Sequence, residues 1–170
     1  MNEPVGGVRC IAVLRCNALG DYLMTTPAPT ALRRTFAQAE LTLLGCAWHP
    51  DFLSGRPGPV DRALVVPRVA GLAGQQAGAP PEGALPQFLA QARAYRYDLA
   101  VQLHDGRAVS NPLVRSLGAR WSIGLQAENA APLDATVPYR CYQSTGSPTP
   151  SPRRPCSSPP HAGYCPRATR

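Results

Sequence analysis

The chain has 170 residues and a mass of 18.1 kDa, a length that holds one domain and little more. Hydrophobic residues make up 44% of it, enough to fill a core, which excludes a chain that is disordered throughout. Seventeen basic side chains against ten acidic ones give a net charge of +7, and every basic one is Arg.

The opening stretch MNEPVGGVRCIAVLRC has a single apolar run, bounded by Arg9 and Arg15. That run is too short for a signal peptide or a membrane span, so a cytoplasmic protein is expected. Within it, residues 10–14 read as a parallel strand covered on both faces. Residues 21–36 read as a helix, with Leu23, Ala31, Leu32 and Phe36 toward the core; Pro27 and Pro29 should kink its first turns. Residues 41–44 and 63–66 give two further strands. Leu85, Phe88, Leu89 and Ala92 then keep the i, i+3, i+4, i+7 spacing of an amphipathic helix. A fourth strand is expected over 99–103, a short helix over 110–117 ended by Gly118, and a weaker strand over 121–123. Strands alternating with helices in this way predict an α/β fold, a Rossmann-like, doubly wound parallel sheet. Ligands bind such sheets outside the carboxyl ends of the strands.

The composition changes near residue 140. Residues 1–140 carry thirteen Arg and all ten acids, whereas 141–170 have four Arg, no acid, seven Pro and no Leu, Ile, Val, Phe, Met or Trp. A segment such as STGSPTPSPRRPCSSPP has too little apolar surface to offset its ordering entropy, so 141–170 is expected to be a disordered tail behind a 1–140 domain. Its composition is also what a GC-rich reading frame yields out of register, which suggests a frameshift or truncation near Arg140. Much of the net charge sits on this tail, so the domain itself is mildly basic and a nucleic-acid partner is not expected.

Six Cys and three His are scattered, with no CxxC pair. Neither a zinc site nor a disulfide framework follows, and reduced, mostly buried thiols are the expectation; no metal or other cofactor is implied.

Two loops lie at predicted strand ends. The first, Asn17-Ala18-Leu19-Gly20-Asp21, places Gly20 at a strand-to-helix turn where backbone can approach a ligand. Asp21 opens the helix, where capping is the plainer role on pattern alone. The second, His104-Asp105-Gly106-Arg107, leads to Asn111-Pro112, a helix-start signal first and a ligand contact second. Arg107 with Arg115 or Arg120 has the guanidinium forks to receive a phosphate or carboxylate, though covering a helix surface is the blander role for Arg115 and Arg120. Neither GxGxxG nor GxxxxGK[ST] occurs, so a dinucleotide or P-loop site lacks its phosphate cradle.

The segments VLRCNALGDYLMTTPAPTALRRTFAQAELTLLG and YDLAVQLHDGRAVSNPLVRSLGARWSIGL resemble glycosyltransferase family 9, the ADP-heptose:lipopolysaccharide heptosyltransferases and their relatives, over roughly residues 9–138. The likeness lies in a strand, a loop ending in Gly-Asp, a helix with a Thr-Pro-Ala-like stretch, and a later Asp-Leu-strand-His segment. The resemblance implies the N-terminal, acceptor-binding half of a GT-B fold. The donor-binding half, which would hold a nucleotide sugar such as ADP-heptose, is expected to be missing. It implies that Asp21 is the catalytic general base of an inverting transfer. The acceptor, a lipopolysaccharide or other surface glycolipid at the cytoplasmic membrane face, would lie along Asn17 and Gly20. Arg15, His104, Arg107, Asn111 and Arg120 are further candidates for contacting it. Cys16-Asn17 stands where many members have small hydroxyl residues, and Asp105 intrudes after the His. A stand-alone anion- or nucleotide-binding module with a basic tail, not an enzyme, is the alternative. A hydrolase lacks its GxSxG and a Ser-His-Asp set.

Overall fold

The computed structural model describes residues 6–72, 82–105, 108–127 and 130–138. All of these belong to the unit Met1–Arg140; the expected disordered tail and Arg107 lie outside the described residues. The strands are β1 (Cys10–Leu14), β2 (Glu40–Gly45), β3 (Arg62–Val65), β4 (Leu99–Gln102), β5 (Trp121–Gln126) and β6 (Ala135–Pro138). The helices are α1 (Leu19–Thr25), α2 (Pro27–Thr35), α3 (His49–Leu53), α4 (Ala84–Arg93) and α5 (Ser110–Arg115). The sheet runs in the order β3-β2-β1-β4-β5-β6, and every neighbouring pair is parallel. This is the expected Rossmann-like α/β sheet.

The strands at the centre are buried on both faces because their side chains alternate between two cores. Ala12, Leu14, Leu44 and Ala100 pack on one side with Phe88 and Ala92 of α4 and Leu113 and Val114 of α5. Ile11, Val13, Leu41, Leu99 and Val101 pack on the other, against Leu32 of α2 and Phe36 just after it.

Three aspartates fix the lower, amino-terminal rim of this sheet. Each directly precedes a strand, and each carboxylate accepts backbone N–H groups from the strand beside it. Asp61, before β3, accepts from Leu41 at 2.7 Å and also pairs with Arg33. Asp98, before β4, accepts from Arg9 and Cys10 at 2.7 and 3.0 Å. Asp134, before β6, accepts from the Ser122 N–H at 2.7 Å and its hydroxyl at 2.6 Å. A charged acceptor roughly doubles the strength of such a bond, so each carboxylate pins the register of two strands.

The Ser122 hydroxyl, then its backbone N–H, hold the Asp134 carboxyl below the usual carboxylate range. A lowered pKa gives stability that is complete above the unfolded value and is lost as pH falls through the folded one. In acid, β6 should therefore release from β5 before the domain unfolds. NMR should show the Ser122 amide titrating with Asp134, and Asp134→Asn should abolish that step. Unchanged titration in the variant would refute the link.

Several expectations need correction. The helix predicted over 21–36 begins at Leu19 and is two helices. Pro27 has no N–H for the Leu23 carbonyl, which instead accepts from the Thr26 backbone at 3.2 Å and the Thr26 hydroxyl at 2.7 Å. The ladder loses one bond there, although Thr26 itself stays in the right-handed helical region. Leu23 is 51% exposed, since nine residues of helix set it about 180° from Leu32; Ala31 also faces solvent, while Leu32 and Phe36 reach the core as expected. The strand expected over 63–66 begins one residue earlier, at Arg62, and the one expected over 121–123 continues to Gln126. Helix α3 and strand β6 were not anticipated.

Candidate functional site

Strands β2 and β3 lie on one side of β1, and β4 to β6 on the other. The strand order therefore reverses between β1 and β4, and the crevice beyond their carboxyl ends is where ligands bind in such sheets. Both loops singled out in the sequence open onto that crevice.

Arg15, one residue beyond β1, ties the two loops together. It is 8% exposed. Its Nη1 donates to the Leu103 and His104 carbonyls at 2.8 and 2.7 Å, and its Nη2 to the Asp21 carbonyl at 3.3 Å. The same Nη2 lies 3.4 Å from Asp21 Oδ1. The guanidinium expected to contact an anionic acceptor is thus committed to three backbone carbonyls and one carboxylate. It thereby joins the loop that carries Asp21 to the loop after β4.

Asp21 is the third residue of α1 and makes no capping bond; Ala18 occupies the cap position without a side-chain bond. The capping role is therefore excluded. Its side chain is 52% exposed, held from one side by Arg15. That leaves a carboxylate open to a ligand at the switch point, at a helix start where backbone dipoles favour negative charge. Gly20 is helical, not the sharp turn expected, and a Cβ there would meet nothing within 4 Å. Asn17 is half-buried, and its Oδ1 is buried with no hydrogen-bond partner.

His104 is buried, its Nδ1 accepting from the Cys16 N–H at 3.4 Å and its Nε2 lying 4.0 Å from Asp105 Oδ2. A polar chain continues behind it: Gln102 Nε2 donates to the Ser110 hydroxyl at 2.9 Å, which donates to Asp105 Oδ1 at 2.7 Å. Asn111 is fully buried, and its Nδ2 donates to the Ala131 carbonyl at 2.9 Å and, at longer range, to the Leu125 carbonyl and Gln126 Oε1. It anchors the short crossover from β5 to β6. Arg120 is exposed and precedes β5, with its N–H bonded to the Tyr97 carbonyl ahead of β4. The structure therefore places it at the opposite end of the sheet from Asp21. Arg15, Asn17, Gly20, Asp21 and His104 come together; Asn111 is taken up by the β5–β6 connection, Arg120 stands apart, and Arg107 lies outside the described residues.

Sequence reasoning missed the wall formed by α3. Tyr22 is buried edge-on against Trp48, His49 and Phe52, and burial raises its hydroxyl pKa. His49 stacks on Trp48 with ring centres 3.7 Å apart and accepts the Cys46 N–H on Nδ1 at 2.8 Å. Gly45 makes this possible, since a Cβ there would sit 2.7 Å from that nitrogen. Beside α1, a cavity of about 310 Å³ is lined by Tyr22, Leu23, Thr26, Phe52, Arg56 and Val60 among others. Leu19, Leu23 and Met24 expose apolar surface along the same helix. Among the described residues no group of three or more His, Cys, Asp or Glu side chains is placed to hold a metal, and no helix is long and apolar enough to cross a membrane.

No family model and no curated protein matches the chain. Its fold is similar to a crystal structure described as the glycosyl transferase family 9 from Veillonella parvula, with a TM-score of 0.61 and 18% identity. The match covers 76% of this chain and 35% of that one. The chain thus spans about a third of the length of the structure it matches, and the likeness at this identity is one of fold.

Proposed function

We propose that the chain is the acceptor-binding half of a family 9-like, GT-B glycosyltransferase, in which Asp21 is the general base. The observation that carries this reading is the Asp21 carboxylate, exposed at the switch point and aimed by an Arg15 that is itself fixed to the β4 loop. In an inverting transfer the acceptor hydroxyl gives its proton to this carboxylate as its oxygen attacks the sugar C1, and the nucleotide diphosphate leaves. Open space at Gly20 admits the acceptor, and the unpartnered Asn17 Oδ1 is suited to accept from one of its hydroxyls. The exposed apolar residues of α1 suit the lipid portion of a surface glycolipid such as lipopolysaccharide, at the cytoplasmic membrane face. A nucleotide sugar of the ADP-heptose class would be held by a second, donor-binding half. Stabilising the leaving group is usually a large share of catalysis, so this chain alone should bind acceptor without turnover.

Titrating the purified chain with lipopolysaccharide-core glycolipids, followed by NMR, tests the reading. Saturable shifts at the Asn17, Gly20 and Asp21 amides, with no transfer from ADP-heptose, are expected. Turnover by the chain alone would overturn the division of labour. Binding that vanished on removing residues 141–170 and left those amides unmoved would favour the anion-binding module.

A further inference from the structure

Cys16 and Cys46 lie outside the chemistry proposed for Asp21, yet the sheet brings them side by side. Strands β1 and β2 pair in register through Leu14 and Leu44, and the ladder continues with the Arg15 N–H donating to the Leu44 carbonyl at 3.0 Å. Two residues beyond that pair on each strand stand Cys16 and Cys46. Period-two alternation puts both side chains on the face of Leu14 and Leu44, and both pack in that core. Neighbouring strands run about 4.8 Å apart, inside the Cα separation of roughly 4.4–6.8 Å that a disulfide spans. Both residues are thiols in the structure.

We propose that Cys16 and Cys46 form a redox-active dithiol that closes to a disulfide by exchange with a low-molecular-weight disulfide of the glutathione class. The inference is independent of the glycosyltransferase reading, because it rests on the pairing of β1 with β2. Cys46 is the attacking thiol. It retains 9% exposure while Cys16 is fully buried, and its backbone N–H is held by the His49 ring that Gly45 admits. Groups facing it include Cys16 from the end of β1 and His49 from the start of α3, with the Arg15 cation acting on Cys16. A hydrogen bond from the Cys16 thiol, working against burial, which raises it, lowers the Cys46 pKa to about 5. The hydrogen bond with Cys46, then burial, raises that of Cys16. This is the asymmetry of an attacking and a resolving pair.

The exchange balances in two steps. The Cys46 thiolate attacks one sulfur of glutathione disulfide, the S–S bond breaks, and one glutathione thiolate leaves. Cys16 then gives its proton to a departing thiolate and attacks the Cys46 sulfur, releasing the second glutathione. Two protein thiols are oxidised to one disulfide, and one glutathione disulfide is reduced to two thiols. Because the Cys16 N–H bonds His104 and Cys16 adjoins Arg15, closing the bridge acts on the loop that carries Asp21.

The test incubates the full native chain with glutathione disulfide, quenches with acid, blocks remaining thiols and maps disulfide-linked peptides by mass spectrometry. A Cys16–Cys46 linked peptide should dominate over pairs involving Cys10, Cys141, Cys156 or Cys165, and the preference should vanish in urea. Cys16→Ser should halt the reaction with glutathione on Cys46, while Cys46→Ser should leave Cys16 unmodified. At mildly acidic pH, iodoacetamide should label Cys46 faster than Cys10 despite its deeper burial, the gain in thiolate being partly offset by lower nucleophilicity. A native chain that links other cysteines as readily, the same pairing pattern in urea, or equal labelling of Cys10 and Cys46 would overturn the assignment.

Discussion

Replacing Asp21 by Asn, in a two-domain enzyme carrying residues 1–138 as its acceptor half, should lower sugar transfer by about 10²–10⁴-fold, the usual contribution of a positioned general base. Acceptor affinity should change little, since the amide keeps the shape of the carboxylate. The fold should survive as well. Asp21 is half-exposed, and its pair with Arg15 at 3.4 Å is of a kind worth about 0–1 kcal/mol. Asp21→Glu should recover part of the rate, because it restores a carboxylate at a shifted position. Steady-state kinetics with a thermal melt of each variant would decide the matter. An Asn variant that keeps the parent rate would remove Asp21 from the chemistry and leave the fold likeness without a mechanism. Arg15→Ala is a poor substitute for this test, since it also removes the bonds to Leu103 and His104 and strands buried carbonyls.

The largest expected effect on stability comes from Gly124→Ala. A Cβ on Gly124 would lie 2.6 Å from both the Cβ and the backbone carbonyl oxygen of Gln102, on the strand paired with it. Backbone cannot swing aside as the tip of a side chain can. The sheet must open between β4 and β5, at an overpacking cost of about 1–3 kcal/mol or more. Against a typical domain stability of roughly 5–15 kcal/mol this is a large share. Gln102 also accepts the Leu125 N–H at 3.3 Å and begins the chain through Ser110 to Asp105, so the polar backing of the site should loosen too. Urea denaturation should show the midpoint falling with the slope retained. A midpoint equal to that of the parent would mean that β4 and β5 tolerate separation.

The central strands were legible because burial on both faces leaves a largely apolar run in β1, β2 and β4, interrupted only by Thr42 and closed by Gln102. Strand β6 carries no such signal. Its four residues are all exposed, and only pairing with β5 makes them a strand. Helix α3 has five residues, too few to show a helical period. The misplaced faces of Leu23 and Ala31 share one cause: apolar character alone ignores phase, and at about 100° per residue Leu23 stands opposite Leu32 and Ala31 about 100° from it. The two site loops were legible from topology, since both follow strands and so open at the carboxyl end. The same reasoning sorts Arg120, which precedes its strand and therefore belongs at the other end. What pattern could not supply was partnership. Nothing in the sequence says that the Arg15 guanidinium is occupied by carbonyls from a loop almost ninety residues away, or that the Asn111 amide holds the β5–β6 crossover. The aspartate rim did leave a trace: Val-Asp-Arg-Ala-Leu, Tyr-Asp-Leu-Ala-Val and Leu-Asp-Ala-Thr-Val each set an Asp immediately before a strand.

Those three aspartates make the two ends of the sheet unlike in their dynamics. At the lower rim, carboxylates hold neighbouring strands to one another independently of anything bound above. Amide protons of Leu41 and Cys10, between central strands, should therefore exchange with solvent slowly, in step with global opening. At the upper rim, cohesion between the two site loops depends heavily on one guanidinium and on the Cys16–His104 bond, so its amides should exchange through smaller, local openings. The sheet then behaves as a comb fastened along its spine, whose teeth can be lengthened, exchanged or bent around a new ligand while the spacing between them is kept.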